Sequence, residues 1–220
     1  MIKFDPNDPY LPRRLEMVRA QLRDRGIGNA RILRAFERVP RHIFVPREAA
    51  ARAYEDHPVG IEENQTVSQP YMVAFMLEKL DLLPAHEVLE VGTGSGYQTA
   101  LLAELAAHVT GVERFPSLAT RARTILDQLE YKNVEVCVGD GSIFHSESHT
   151  YDRIIVSAAS PRVPEDLVRQ LRTGGRMIIP VGAKDHQILR IVTKNTDGVR
   201  EEMSEACAFV PLIGAQGFPE

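Results

Sequence analysis

The chain has 220 residues, 44% hydrophobic and 25% charged, with a formal net charge of −4. These values exclude a disordered or collagen-like chain, argue against a polyanion-coating protein, and fit one large domain with an appendage. No stretch approaches the roughly 18 apolar residues needed to cross a bilayer, and residues 1–6 lack a basic-then-apolar leader, so the cytosol is the expected location.

The N-terminal part is basic: residues 11–52 hold eleven Arg against four acids (Glu16, Asp24, Glu37, Glu48), a balance of 11 − 4 = +7. The arginines are spread rather than run together, which reads as solvated helix faces and not as a nucleic-acid surface. Leu11, Leu15, Val18 and Leu22 recur at helical spacing up to Gly26. Ile32, Leu33, Phe36 and Val39 mark a second helix between an Asn29 cap and Pro40. A third short helix is expected over 46–54, a polar loop over 58–69, and a longer helix from Pro70, whose ring suits a first helical turn.

From Glu87 the rhythm changes to short apolar runs. Residues 88–91, 109–113, 134–138, 153–156 and 176–180 read as strands, separated in part by helices over 97–107, 116–129 and 164–171. Alternation of this kind predicts a mostly parallel sheet with helices on both faces. Residues 187–194 and 200–210 then read as two longer antiparallel edge strands around an Asp197-Gly198 turn. The expectation is a single α/β domain over 1–220, in which 1–80 add N-terminal helices and a loop and 81–220 form the core.

Cys137 and Cys207 stand seventy positions apart with no Cys-x-x-Cys, and read as small core residues. His145 and His149 have i, i+4 spacing but lie in a polar stretch, and no His-Glu-x-x-His occurs, so no metal site is expected.

The strongest chemical signal follows the first core strand, in Glu90-Val91-Gly92-Thr93-Gly94-Ser95-Gly96-Tyr97. Glycines at this edge of a parallel sheet let the backbone turn sharply and a ligand approach the main chain. Glu113 ends the second strand, 113 − 92 = 21 positions after the first glycine, where an acid can accept hydrogen bonds from two ribose hydroxyls. Dinucleotide sites space their glycines as Gly-x-Gly-x-x-Gly and receive a pyrophosphate at the helix terminus. Here the spacing is Gly-x-Gly-x-Gly with Glu90 beside it, which suits a cationic ligand without phosphate. Asp140 ends the third strand, where it can accept from an adenine amino group. Three acids at consecutive strand ends around one glycine loop predict an S-adenosyl-L-methionine site.

Longer segments carry a resemblance. Gln65-Thr66-Val67-Ser68-Gln69-Pro70, Phe44-Val45-Pro46 with Tyr54-Glu55-Asp56, the glycine loop, Tyr151-Asp152-Arg153-Ile154-Ile155-Val156 and Phe209-Val210-Pro211-Leu212 together resemble the protein-L-isoaspartate O-methyltransferase family. The resemblance runs from about Met17 to Phe218 and implies a Rossmann-like, S-adenosylmethionine-dependent methyltransferase fold. It also implies methyl transfer to the free α-carboxylate of L-isoaspartyl residues in damaged proteins and peptides, with S-adenosyl-L-homocysteine as product. Repair then starts through a succinimide. Ser68 matches the family's active-site serine. Gln65, Thr66, Val67, Ser68, Gly92, Gly94, Gly96, Glu113, Asp140 and Gly141 match its cofactor contacts. Val210 and Pro211 are the candidates, with Ser68, for holding the peptide. A monomer with neither nucleic-acid nor membrane partners is expected.

Three alternatives stand beside this reading. Ser68 could be an N-cap for the helix at Pro70. The glycine loop would equally serve a methyltransferase of RNA or small molecules, or a protein that binds the cofactor without catalysis. One departure matters too: the family's Pro-Ile-Gly-x-Gly is replaced by Gly60-Ile61-Glu62-Glu63-Asn64. Asn64 tolerates a left-handed backbone, whereas Glu62 would adopt one at more cost. The two added acids are expected to disfavour acidic peptides.

Overall fold

Gly26 ends the first helical segment as its sequence suggests, with a left-handed φ of 97°, but the segment before it is not one uniform helix. In the computed structural model, which describes residues 8–143, 149–183 and 185–219, α1 (Leu11–Glu16) passes into a π-helical turn over Met17–Leu22 and a 3-10 turn over Arg23–Arg25. The wider π turn advances the helix face, so the buried side is Arg14, Met17, Val18 and Leu22, and Leu15 of the expected stripe is left exposed. In α2 (Ala30–Arg38) the Asn29 side chain accepts from the Arg31 and Ile32 amides, and Ile32, Leu33, Ala35 and Phe36 are buried. The third short helix expected over 46–54 is a 3-10 helix, Arg47–Arg52, and another precedes it over Arg41–Phe44.

The stretch read as a polar loop is a short hairpin. β1 (Val59–Gly60) pairs antiparallel with β2 (Thr66–Val67), and Glu62–Asn64 form a 3-10 turn between them. Pro70 then opens α3 (Pro70–Leu80), whose Val73, Ala74, Met76, Leu77 and Leu80 are buried.

The main sheet contains β3 (Glu87–Val91), β4 (His108–Glu113), β5 (Val134–Val138), β6 (Tyr151–Val156), β7 (Leu171–Ala183), β8 (His186–Asn195) and β9 (Gly198–Cys207) in the order β5-β4-β3-β6-β7-β8-β9. β3 to β7 are mutually parallel; β8 and β9 extend the edge antiparallel. β7 starts five residues before the expected 176, directly after α6 (Glu165–Gln170). At the hairpin Asn195 pairs with Gly198, so Thr196 and Asp197 are the turn and Gly198 the first strand residue. α4 (Tyr97–Leu105) and α5 (Pro116–Gln128) complete the crossovers. The chain leaves β3 toward β4 on one side and returns to β6 on the other, which opens a crevice at the carboxyl ends of β3 and β6.

One hydrophobic cluster runs from Met17, Phe36 and Phe44 through Leu77 to Leu101 and Ile178, joining the N-terminal layer to the sheet. Full burial of each such side chain contributes about 1.5–3 kcal/mol. The basic N-terminal residues are largely taken up locally: Arg14 pairs with Asp8 at 2.8 Å, Arg25 with Asp56 at 2.5 Å and Arg38 with Glu104 at 3.1 Å. Of the histidine pair, His145 lies outside the described residues, and His149 stands 3.5 Å from Glu87.

Candidate active site

The loop after β3 is pinned from β4. The Gly92 and Thr93 amides donate to the Val112 carbonyl at 2.8 and 3.2 Å, and the Gly94 amide donates to Glu113 Oε2 at 2.8 Å. Gly92 (φ 87°) faces Ser157: a Cβ there would stand 3.6 Å from the Ser157 Cβ. Gly96 (φ 87°) serves a different purpose. A Cβ on it would press on Ala122 of α5 at 3.2 Å, so this glycine lets α5 pack behind the loop and does not line the cleft.

The cleft above the loop encloses about 950 Å³ including its open mouth, at the upper end of the range for small-molecule sites. Its wall contains Gln65, Thr66, Val67, Ser68, Gly92, Gly94, Glu113, Gly141, Val210 and Pro211 of the sequence-derived candidates. Glu113 is 5% exposed; besides the Gly94 contact, its Oε1 accepts from the Phe115 amide at 2.9 Å. A carboxylate oxygen accepts more than one hydrogen bond, so capacity for ligand hydroxyls remains.

Two of the three predicted acids stand elsewhere. Glu90 is fully buried beneath the loop, where Oε1 accepts from Gln98 Nε2 at 3.0 Å and Oε2 from Thr99 Oγ1 at 2.5 Å. Burial pushes its carboxyl up to about 8 against the pull of those hydrogen bonds, and the neighbouring Glu113 charge adds to the rise. Its hydrogen bond to Gln98, which does line the cleft, links it to the site. Asp140 sits in an adjoining hollow with Arg114 and Phe218. Its Oδ1 accepts from the Ser142 amide and hydroxyl at 2.8 and 2.7 Å, and its Oδ2 from the Ala215 amide at 2.8 Å. Burial raises this carboxyl, but the three hydrogen bonds outweigh it and hold it below the usual aspartate value.

Ser68 is not the cap of α3. The capping position is Gln69, whose side chain makes no cap bond to the helix. Instead, Gln69 Nε2 donates to Asp56 Oδ2 at 2.9 Å, and the Tyr71 amide donates to Asp56 Oδ1 at 3.4 Å. Arg25 pairs with the same carboxylate and lies over the Tyr71 ring, 3.5 Å from its centre. Asp56 thus caps α3 from a distant turn, and no hydrogen bond occupies the Ser68 hydroxyl among the described residues. A second hollow lined by Pro58, Met72, Cys207 and Phe209 adjoins the cleft at Ser68.

The acids of the divergent turn also differ from expectation. Glu63 (φ 59°) and Asn64 (φ 55°) take the left-handed conformation, and Glu62 does not. Glu62 forms an ion pair with Arg121 of α5, and the Ser117 hydroxyl donates to Glu63 at 2.7 Å. Glu62 is thus paired with a cation of α5, whereas Glu63 meets a neutral hydroxyl and keeps its charge.

Sequence reasoning missed Thr93, Gln98 and Ser157 on the cleft wall. Ser157 follows the fourth core strand at the ligand edge of the sheet and Thr93 lies inside the glycine loop, which were the available signals. Thr93 Oγ1 is buried with no partner. A glycine cradle and an acid at the second strand end fit a ribose-bearing cation better than a diphosphate, since among the described residues Arg114 is the one basic side chain on the wall. Fold and site together define an S-adenosylmethionine-dependent methyltransferase.

Comparison with known proteins narrows the class. Residues 13–217 match the family model described as protein-L-isoaspartate(D-aspartate) O-methyltransferase. The protein-L-isoaspartate O-methyltransferase of Syntrophus aciditrophicus is 49% identical over 214 residues, 96% of this chain and 98% of that one. That of Aeropyrum pernix is 50% identical over 218 residues, covering 97% and 84%. Among solved structures, a chain from Plasmodium falciparum described as a protein-L-isoaspartate O-methyltransferase, in complex with S-adenosyl-L-homocysteine, superposes with a TM-score of 0.80 at 26% identity, over 91% of this chain and 98% of that one. The chain belongs to the protein-L-isoaspartate(D-aspartate) O-methyltransferase family, and its reaction is S-adenosylmethionine-dependent methylation of isoaspartyl residues.

Proposed function

We propose that Ser68 orients the isoaspartyl α-carboxylate beside the cofactor, and that Gln65 to Ser68, Gly92, Gly94, Glu113 and Gly141 hold S-adenosylmethionine in the cleft. Bound there, the cofactor supplies an electrophilic methyl group on a sulfonium. Glu113 takes the ribose hydroxyls on its remaining lone pairs, and the glycine backbone accepts the close approach of the ligand. Glu90 acts from below the loop by fixing Gln98, and Asp140 by tying the 213–218 turn to Gly141 through its bond to Ala215. Val210 and Pro211 hold the peptide chain where residues 210–212 bond to Ala159.

No general base is needed, because a carboxylate is ionised at neutral pH. Alignment and removal of water carry the rate, and alignment can supply up to roughly 7–11 kcal/mol in the best intramolecular cases. The ester made this way is a better acyl group than the carboxylate, so attack by the neighbouring backbone amide nitrogen closes a succinimide and releases methanol without the protein. Residues 1–80 and 81–220 act as one domain on this reading, since both contribute to the cleft wall. Among the described residues no helix is long and apolar enough to cross a membrane. We place the protein in the cytosol as a monomer acting on damaged proteins and peptides, with no nucleic-acid partner.

The observation that carries the catalytic role is the Ser68 hydroxyl, free of hydrogen bonds among the described residues, at the join of the cleft and the second hollow. Ser68→Ala should lower turnover on an isoaspartyl peptide at least tenfold. The melting temperature should stay close to wild type, because no cap is lost, and the loss in turnover should exceed any loss in S-adenosylhomocysteine affinity. Full turnover in this variant refutes the role.

A further inference from the structure

The cofactor cleft and the second hollow share Thr66, Ser68, Ser157 and Val210. Methyl transfer requires the carboxylate oxygen and the methyl carbon in near-attack contact, so the reacting atoms meet at such a join. Ser157 is built into it more firmly than its neighbours. Its amide donates to the Val91 carbonyl at 2.8 Å, and the missing Cβ of Gly92 leaves room beside its side chain. Its Oγ accepts from Gln98 Nε2 at 2.7 Å, and the same amide nitrogen donates to Glu90 Oε1 at 3.0 Å. Both hydrogens of that nitrogen are then used, and the chain Glu90–Gln98–Ser157 fixes which lone pair of the hydroxyl is occupied. Ser157 keeps its proton to give, and no acceptor among the described residues takes it.

We propose that Ser157 is a second catalytic residue, donating its hydroxyl proton in a hydrogen bond to the non-attacking oxygen of the isoaspartyl carboxylate. This inference rests on the isoaspartyl reading of the site. Donation to the attacking oxygen would hold back the electrons it must share; donation to the other oxygen turns the attacking one toward the methyl group. The attacking oxygen forms the O–C bond, the C–S electron pair stays on sulfur, and no proton is transferred. Ser157 and Ser68 come from different elements, the end of β6 and the turn before α3, and grip one carboxylate between them. An isoaspartyl carboxylate fits that grip because it sits on a short stub beside the backbone.

The test compares wild type, Ser157→Ala and Ser157→Thr. Three quantities are read: S-adenosylhomocysteine affinity, isoaspartyl-peptide affinity in saturating S-adenosylhomocysteine, and kcat/KM with the same peptide. Ser157→Ala should lose about 10- to 100-fold in kcat/KM, mostly in kcat. It should bind the peptide severalfold more weakly and keep S-adenosylhomocysteine affinity within about twofold. Ser157→Thr, for which Gly92 leaves space, should recover most of the loss. The proposal is overturned by Ser157→Ala with kcat/KM within twofold of wild type, by a parallel fall in S-adenosylhomocysteine affinity, or by equal impairment of both variants. If the wild type itself fails to methylate the isoaspartyl peptide, the underlying reading falls and this one with it. If the wild type is active and Ser157→Ala matches it, only the Ser157 role falls.

Discussion

Glu113 shows what a single residue position in the sequence can reveal. Its distance from the glycine loop and its place at a strand end point to the cofactor, and the folded chain sets it on the cleft wall with both oxygens already bound to backbone amides. Glu113→Ala should therefore weaken S-adenosylhomocysteine binding by about 1.5–3 kcal/mol, roughly 10- to 150-fold, measured by calorimetry. Glu113→Gln keeps one acceptor oxygen and should lose less. The same strand-end logic names Glu90 and Asp140, which stand off the wall of the main cleft. Strand position gives an acid's address but not the direction in which its lone pairs are spent. Asp140 accepts from the amide of Ala215, seventy-five positions away, and Glu90 from Gln98 and Thr99 on the following helix. Ser157 escaped notice because one serine after a strand has no spacing partner; its importance emerges only when Gln98 is placed beside it.

Among the elements, the parallel strands and α2 to α5 were readable because apolar runs and Pro, Asn or Gly boundaries mark them. The π turn at Met17–Leu22 was not, since its sequence has ordinary helical periodicity and the widening changes only the face that is buried. The β1–β2 hairpin was hidden by strands of two residues each, too short to show alternation. Its turn carries a strained residue: Glu63 holds a left-handed backbone, which costs about 1 kcal/mol or more for a side chain of this kind. Glu63→Gly releases that strain and gives up the exposed Ser117 bond, itself worth about 0.5–1.5 kcal/mol. The melting temperature should stay within a few degrees of wild type. Ser117→Ala keeps the strain and loses the bond, so it should be the less stable of the two variants in the same thermal melt.

For the molecule as a whole, the buried Glu90 ties stability to pH. Its carboxyl is pushed up to about 8 in the folded chain from an ordinary value near 4.5, so between these values the folded state binds more protons than the unfolded one. Its contribution is complete below about pH 4.5 and is lost as pH rises through 8. This group alone lowers the melting temperature of the ligand-free protein as pH rises from 5 to 9, against the opposite pull of the partly buried His42 and His86. The melting temperature of Glu90→Gln should therefore fall less, or rise more, than that of wild type over that range in a calorimetric pH series. A single hydrophobic cluster spanning the N-terminal layer and the sheet keeps Ser68 and the glycine loop on one rigid frame, which an alignment mechanism requires. Alignment is also the property that separates substrates. In an aspartyl residue the carboxylate is displaced by a methylene, about 1.5 Å, and a misplacement of about 1 Å costs on the order of a hundredfold in rate. Purified protein, labelled S-adenosylmethionine, and peptides identical except for one isoaspartyl or aspartyl linkage provide the direct measurement, with bulk RNA in parallel. The isoaspartyl peptide should be methylated at least a hundredfold faster than its twin and RNA should remain unlabelled. Equal labelling of the two peptides, or labelling of RNA alone, would contradict the account.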